Sequence, residues 1–290
     1  MNTSELISAL KIRGSFPTSN DLFSNADFLV LLNMAMKTEI VPTMLLLSED
    51  YFLLTKDYTI SSGTVYKLPS RSIGTKLRDI QYIDSSSNVS HPIRLLEEDQ
   101  GLGNSGYYIF RNEIRLSDDY TSGTLRVQYF ARPNELVLTT SCGQITSIDT
   151  GLNQVVVSSA PSDFSTGVLC DFVQNNNPFD LLDYDQAISN VSGTTITFSS
   201  LPTDLAVGDW LCLAKQSPVP MVPDEVHPLL VQAALVSCLA SKNDKAFDYE
   251  AKILEKQKQD MIRMLDPRVE NDSIKFRSGR LTSYFANRWY

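Results

Sequence analysis

ITSIDTGLNQVVVSSAPSDFSTGVLCDFV, residues 145–173, and ISNVSGTTITFSSLPTDLAVGDWLCLA, residues 188–214, are two versions of one unit. Reading them as an internal repeat decides how the middle of the chain is organised. In each, a strand and a turn lead into a second strand. Ser-Ser-x-Pro-x-Asp-[Phe/Leu]-x-x-Gly and a third apolar strand follow. Pro161, Asp163 and Gly167 align with Pro202, Asp204 and Gly208. Proline fixes its own φ, aspartate can cap a turn, and glycine can supply positive φ before a strand resumes. The spacing predicts architecture rather than a ligand site: two units pairing into a small antiparallel barrel or sandwich over 141–215.

On the N-terminal side of the repeat, short runs such as GTVYKL, RDIQYI, GYYIF, NEIRL and GTLRVQYF are alternating, β-branched or aromatic. They predict a β-rich part over 56–140, with Arg111-Asn112 as a tight hairpin connection. Helical signals sit at the two ends. Ser24 to Asp27 has the form of a capping box. Phe28, Leu31, Leu32, Ala35 and Met36 then mark one helix face. Pro42 suits the first turn of a second short helix, VPTMLLLSEDYF. Near the other end, Pro223-Asp224-Glu225 opens an apolar helix broken around Asn243. A more charged helix follows over 245–265, closed by Pro267. The expected class is α+β: a helical bundle formed by N-terminal (1–55) and C-terminal (216–268) helices, with a large antiparallel β insertion containing the duplicated module. Residues 269–290 read as an extended polar tail dotted with aromatics.

The net charge of −9 and pI of about 4.8 argue against gripping nucleic acid with the whole surface. The charge is uneven. Residues 242–290 hold 11 Lys/Arg against 8 Asp/Glu, +3, and the rest, with 14 against 26, holds −12. Cys142, Cys170, Cys212 and Cys238 form no CxxC pair and are expected to be free buried thiols. The N-terminal MNTSELISALKIRG lacks the pattern of a signal peptide. The longest apolar run, FLVLLNMAM, reads as too short to span a membrane. The expectation is a soluble protein made and kept in the cytoplasm.

No enzyme signature stands out. The histidines, His91 and His227, are far apart and have no second ligand at metal spacing. HExxH, GxSxG and GxxxxGK[ST] are missing. Acidic runs at Glu97-Glu98-Asp99, Asp118-Asp119 and 180–185 sit among loop-forming residues. DLLDYDQAISNV places its acids off the EF-hand positions. No catalytic, cofactor or metal residues are therefore assigned. The basic stretch KLPSRSIGTKLRDI, residues 67–80, has a lone Gly74 and so lacks the nest of a P-loop. It is expected to be a docking or intersubunit loop, with Lys67, Arg71, Lys76 and Arg78 facing an acidic protein partner rather than passing DNA phosphates, which a body carrying −12 would repel elsewhere.

These stretches together resemble the head-to-tail connector, or neck adaptor, proteins of tailed bacteriophages, including the tail tubular adaptor of short-tailed phages. The resemblance rests on KIRGSFPTSNDLFSNADFLVLLNMAMKTEIVPTMLLLSEDYFL, YKLPSRSIGTKLRDIQYID, GYYIFRNEIRL, GTLRVQYFARPNELV and SPVPMVPDEVHPLLVQAALVSCLASKNDKA. The PDEVHPLL phrase before an alanine-rich helix is its most specific part. The resemblance implies a structural virion protein with no cofactor and no turnover. It implies a ring, typically of twelve copies, docked on the portal at the head-tail junction. The ring would extend the DNA channel without specific DNA binding, carry the next tail or neck component, and assemble in the bacterial host cytoplasm without a membrane. The basic, aromatic tail residues Arg277, Arg280, Tyr284, Phe285, Arg288, Trp289 and Tyr290, with Lys275 and Phe276, are then expected to order on docking. The duplicated β module departs from compact adaptors in being extra. The alternative reading is a receptor- or carbohydrate-binding virion protein using that module, through Asp163, Asp204 and Trp210. A carboxylate-based hydrolase is the third.

Overall fold

The computed structural model describes residues 1–16, 23–47, 49–61, 64–85, 89–97, 105–242 and 244–265. The chain is mixed α+β, with a helical layer and several antiparallel sheets.

Helix α1 (Thr3–Arg13) starts at a capping box in which Asn2 and Glu5 exchange hydrogen bonds. Helix α2 (Asn25–Ala35) starts at the box expected from sequence: Ser24 Oγ accepts from Asp27 N at 3.2 Å, and Ser24 N donates to Asp27 Oδ2 at 2.7 Å. Two separate helices were expected here. Instead α2 runs through a π-turn, Met36–Ile40, directly into α3 (Val41–Leu47). Pro42 would break a regular helix by clashing with the preceding turn. The wider turn immediately before it, closed by Val41 N to Met36 O, falls where that clash would arise. The resulting 23-residue rod is long and apolar enough to cross a membrane by length and composition, which corrects the reading of a run too short to do so. Its inner side nevertheless packs as a core helix, through Phe28, Leu32, Ala35, Met36, Ile40 and Met44. Buried Asn33 on the same rod extends a strand-like pair of hydrogen bonds to the backbone of Leu136, both 2.8 Å.

Helices α4 (His227–Lys242) and α5 (Phe247–Leu265) complete the layer. Helix α4 packs against α1, α2 and α5 and is buried on most sides, through Leu230, Ala234 and Cys238 among others. Helix α5 keeps only Leu254 and Met261 fully buried. Residues from both ends of the chain, such as Leu6, Leu10, Leu32, Met44, Leu230 and Ala234, thus share one hydrophobic core.

The first β region holds β1 (Leu53–Ile60), β2 (Val65–Lys67), β3 (Ser72–Ile83), β4 (Ser90–Pro92), β5 (Tyr107–Phe110), β6 (Glu113–Leu116) and β7 (Gly123–Ala131). Two sheets, ordered β1-β7-β3-β4 and β2-β6-β5, enclose a core of Ile80, Ile114, Leu125 and Val127. The expected hairpin joins β5 to β6 through Arg111 and Asn112, with Arg111 at φ 56°.

The repeat forms β9 (Gly143–Asp149), β10 (Gln154–Val157), β11 (Leu169–Val173), β12 (Leu181–Ala187), β13 (Asn190–Ser192), β14 (Thr195–Thr197) and β15 (Trp210–Leu213), following β8 (Glu135–Leu136). They make one seven-stranded sheet, β12-β11-β15-β9-β10-β14-β13. The two units pair as pseudo-twofold mates. Gly167 N donates to Ile188 O and Gly208 N to Ile145 O, each at 2.8 Å. Val157 N donates to Thr194 O and Phe198 N to Asn153 O, each at 2.9 Å. Equivalent residues also face each other across the local dyad, Asp171 opposite Cys212 and Val155 opposite Ile196. The corner glycines take positive φ, 88° at Gly167 and 102° at Gly208, as the motif requires. The short β16 (Gln216–Ser217) pairs with β8 and leads toward α4.

Candidate functional site

The stretch 67–80 is not a loop. Lys67 ends β2, a turn at Pro69 follows with Ser72 N on Pro69 O at 2.9 Å, and β3 begins at Ser72. Gly74, at φ 57°, sits in the stretch of β3 where the register with β7 shifts. The four basic residues therefore part company.

Arg71 corrects the expectation of an exposed docking residue: it is 3% exposed. Its guanidinium donates through Nη2 to Asp171 Oδ1 at 2.7 Å and Asp185 Oδ1 at 2.8 Å, and through Nη1 to Asn134 Oδ1 at 2.8 Å. Asp171, 0% exposed, accepts on Oδ1 from Arg71 and from Asp185 N at 3.0 Å. On Oδ2 it accepts from Asn134 Nδ2 at 2.7 Å and Lys215 N at 2.8 Å. The carboxylate is fully hydrogen-bonded, as a buried charge must be. Burial raises the Asp171 carboxyl above the ordinary range, and Arg71 pulls against that rise. Burial works against the charge on Arg71 as well, yet its two carboxylates hold the guanidinium above its usual value. The cluster clamps the duplicated module to the first β region.

Arg78 is exposed and paired with Asp50. The Lys76 ammonium lies 4.5 Å from the centroid of the Phe130 ring. Lys67 is exposed at the end of β2, where its carbonyl accepts from Tyr58 Oη at 2.8 Å. With Lys56, Tyr58, Arg71, Tyr184 and Asp185 it lines a cleft of about 230 Å³. The Tyr184 hydroxyl donates to Thr55 O at 2.8 Å. Three tyrosines, Tyr58, Tyr129 and Tyr184, line the cleft; the first and last donate to backbone carbonyls, and the Lys56 ammonium lies 6.0 Å from the Tyr184 ring centroid.

Beside the cleft stands the β5–β6 hairpin, docked on β2 by the register Lys67–Glu113 and by Leu68 N on Asn112 O at 2.9 Å. Phe110 carries two guanidiniums, Arg111 at 5.2 Å and Arg115 at 4.6 Å from its ring centroid. Arg115 also pairs with Glu113 at 3.1 Å. Sequence reasoning took GYYIFRNEIRL as a hairpin and as part of the resemblance, and assigned no role to Phe110, Arg111 or Arg115. The signal was available, because the period of two sets Tyr108 and Phe110 across from Arg115 and Glu113.

Arg277, Arg280, Tyr284, Phe285, Arg288, Trp289 and Tyr290, with Lys275 and Phe276, lie outside the described residues, as do Glu98 and Asp99. Among the described residues no group of three His, Cys, Asp or Glu side chains is placed to hold a metal ion. His91 is exposed in β4. His227 is buried at the start of α4, 2.8 Å from the Met1 ammonium through Nδ1 and 3.1 Å from Val222 O through Nε2. Trp210 is 8% exposed, donates Nε1–H to Asn175 Oδ1 at 2.7 Å and packs with Cys142, Val173, Phe179, Cys212 and Val219, a cluster apart from the core of the module. All four cysteines are free and buried. In comparison with known proteins, no family model and no curated sequence matches the chain.

Proposed function

We propose that the chain is the subunit of a head-to-tail connector ring of a tailed bacteriophage. The ring docks on the portal, extends the DNA channel and offers a surface to the next tail or neck component. In this reading the helices of 1–55 and 216–268 are the adaptor core, 56–140 and 141–215 form its β insertion, and the chain has no reaction to perform. The observation that carries the proposal is the outer side of the α2–α3 rod. Val30 is 57% exposed, Met34 54% and Leu46 86%, along a helix whose other side is core. Exposed apolar side chains on one rod, with Lys37 and Thr38 between them, suit a subunit that packs side by side with its copies. The acidic body supports it too, since a channel wall that repels phosphates lets DNA slide.

Electron microscopy of the purified chain and of the intact particle tests the proposal. A closed ring on the portal axis, with the rods at subunit boundaries, is expected. Density at a fibre, spike or capsid face would overturn it. Trp210, on which the receptor-binding alternative leans, is buried against Cys142, Phe179 and Val219.

A further inference from the structure

Within an acidic protein, one face gathers uncompensated positive charge. Lys56 and Lys67 stand at the mouth of the cleft, and Arg111 and Arg115 crown the adjoining hairpin. Among the described residues, no carboxylate lies within ion-pair distance of Lys56, Lys67 or Arg111, and Glu113 is taken by Arg115. The hairpin guanidiniums lie over Phe110, with Arg111 exposed and Arg115 half-buried. Arginines stacked on an aromatic lose less freedom on docking, and such groups are the usual anchors of protein interfaces.

We propose that this face is the basic half of the contact between neighbouring copies, receiving carboxylates from the acidic surface of the next subunit. The inference rests on the ring reading and names one of the surfaces that would close the ring. Charge selects the occupant. Outside residues 242–290 the chain carries −12, so another copy presents a mostly acidic surface to this patch. Charge also selects the geometry. Centred on a twofold axis the patch would meet itself, like against like. In a head-to-tail contact it meets a different surface, and such contacts close into rings by rotation. The same negative balance disfavours a nucleic acid as occupant.

Mass photometry of the full chain tests this over a range of concentration and salt. Three proteins are compared: the wild type, a face variant (Lys67→Glu with Arg111→Glu) and a control variant (Lys252→Glu with Lys256→Glu on α5). The two variants change net charge equally. The expected result is wild-type assembly that weakens with salt. The face variant should need at least about 100-fold more protein to assemble, with its melting curve unchanged, while the control behaves as wild type. Lys67→Gln with Arg111→Gln should fall between. A face variant that assembles like the wild type overturns the inference and leaves the ring reading standing. A wild type that stays monomeric at every concentration overturns both. Unchanged assembly with loss of binding to a labelled DNA duplex overturns it in favour of a nucleic-acid contact.

Discussion

Replacing Arg71 by methionine removes one charge from the clamp while keeping a side chain of similar reach. Asp171 would remain at the bottom of the cluster, still accepting from Asn134 Nδ2, Asp185 N and Lys215 N, but without its counter-charge. Removing one partner of a buried ion pair costs about 3–5 kcal/mol, because the other charge is left uncompensated. At roughly 2–4 °C per kcal/mol for domains of about 150–250 residues, the melting midpoint should fall by roughly 10 °C. Urea unfolding followed by circular dichroism gives the same comparison as a lower midpoint. The pH dependence adds a second readout. Burial already raises the Asp171 carboxyl, and Arg71 opposes that rise. Without Arg71 the folded-state pKa climbs further above the unfolded one. A carboxyl raised in this way destabilises the fold when it ionises. The deficit of the variant therefore grows as pH rises through the folded pKa and shrinks as pH falls. It should be smaller at pH 5 than at pH 7. Combining Arg71→Met with Asp171→Asn should restore about 1–3 kcal/mol relative to the sum of the single changes. A deficit below about 1 kcal/mol that is flat with pH would refute the reasoning, since it would mean that the pair is solvated.

Three further outcomes are expected. Burial, with the Met1 ammonium beside it, lowers the His227 imidazole to about 4; the unfolded chain then takes the proton first, so stability should drop by about 3 kcal/mol as pH falls from about 6.5 to 4 and level off below. His227→Gln should flatten that part of the profile, and parallel curves would exclude His227 as its source. Burial pushes the Cys170 thiol up to about 12, Cys238 up to about 11 and Cys212 well above its usual range, so the native protein should show no thiol reactive to DTNB within minutes, and all four on denaturation. Gly208→Ala, at φ 102° with open space around the added Cβ, should cost about 1–2 kcal/mol in backbone strain alone, whereas Gly151→Ala, which has no positive φ, should stay within about 0.5 kcal/mol.

What was legible in the sequence was local. The Ser24 capping box, the strands YYIF and EIRL, the Arg111-Asn112 connection and the Pro-x-Asp corners each depend on residues a few positions apart, and each is found where its motif lies. Arg71 shows what local pattern cannot hold. Its partners, Asn134, Asp171 and Asp185, are 63, 100 and 114 residues away, and nothing in KLPSRSIG announces them. A basic residue among polar neighbours looks solvated until the fold brings a carboxylate over it. Pro42 stands in the first turn of α3 as expected, but it does not separate that helix from α2, for a related reason. A π-turn absorbs the clash and tertiary packing keeps the rod whole, so propensity yields to the core. Trp210 in GDWLCLA follows Gly208-Asp209 and precedes an apolar run, which fits a surface ring or a core ring equally until Asn175 is brought within 2.7 Å.

The clamp also accounts for how a duplicated module sits in one orientation. Two units exchanging equivalent hydrogen bonds about a dyad are alike in backbone, but only the first is followed by β12, the strand that carries Tyr184 and Asp185 to the first β region. The positions that face each other on β11 and β15 at that dyad are Asp171 and Cys212, and they differ in chemistry where the surrounding backbone is alike. Turning the module about its dyad would put Cys212 in the place of Asp171 and carry β12 with Asp185 away as well, leaving a buried guanidinium without either carboxylate. That loss is of the order argued above for the broken pair. Against it, the symmetric apolar contacts of Val155 with Ile196, or of the two corners, can discriminate little. The pair of charges is a costly way to add stability, because desolvation offsets most of its attraction. Its effect is instead to choose between the two dockings, and the choice is made by Asp171 together with Asp185 on β12, carboxylates that the first half of the repeat and the strand after it supply and the second half lacks.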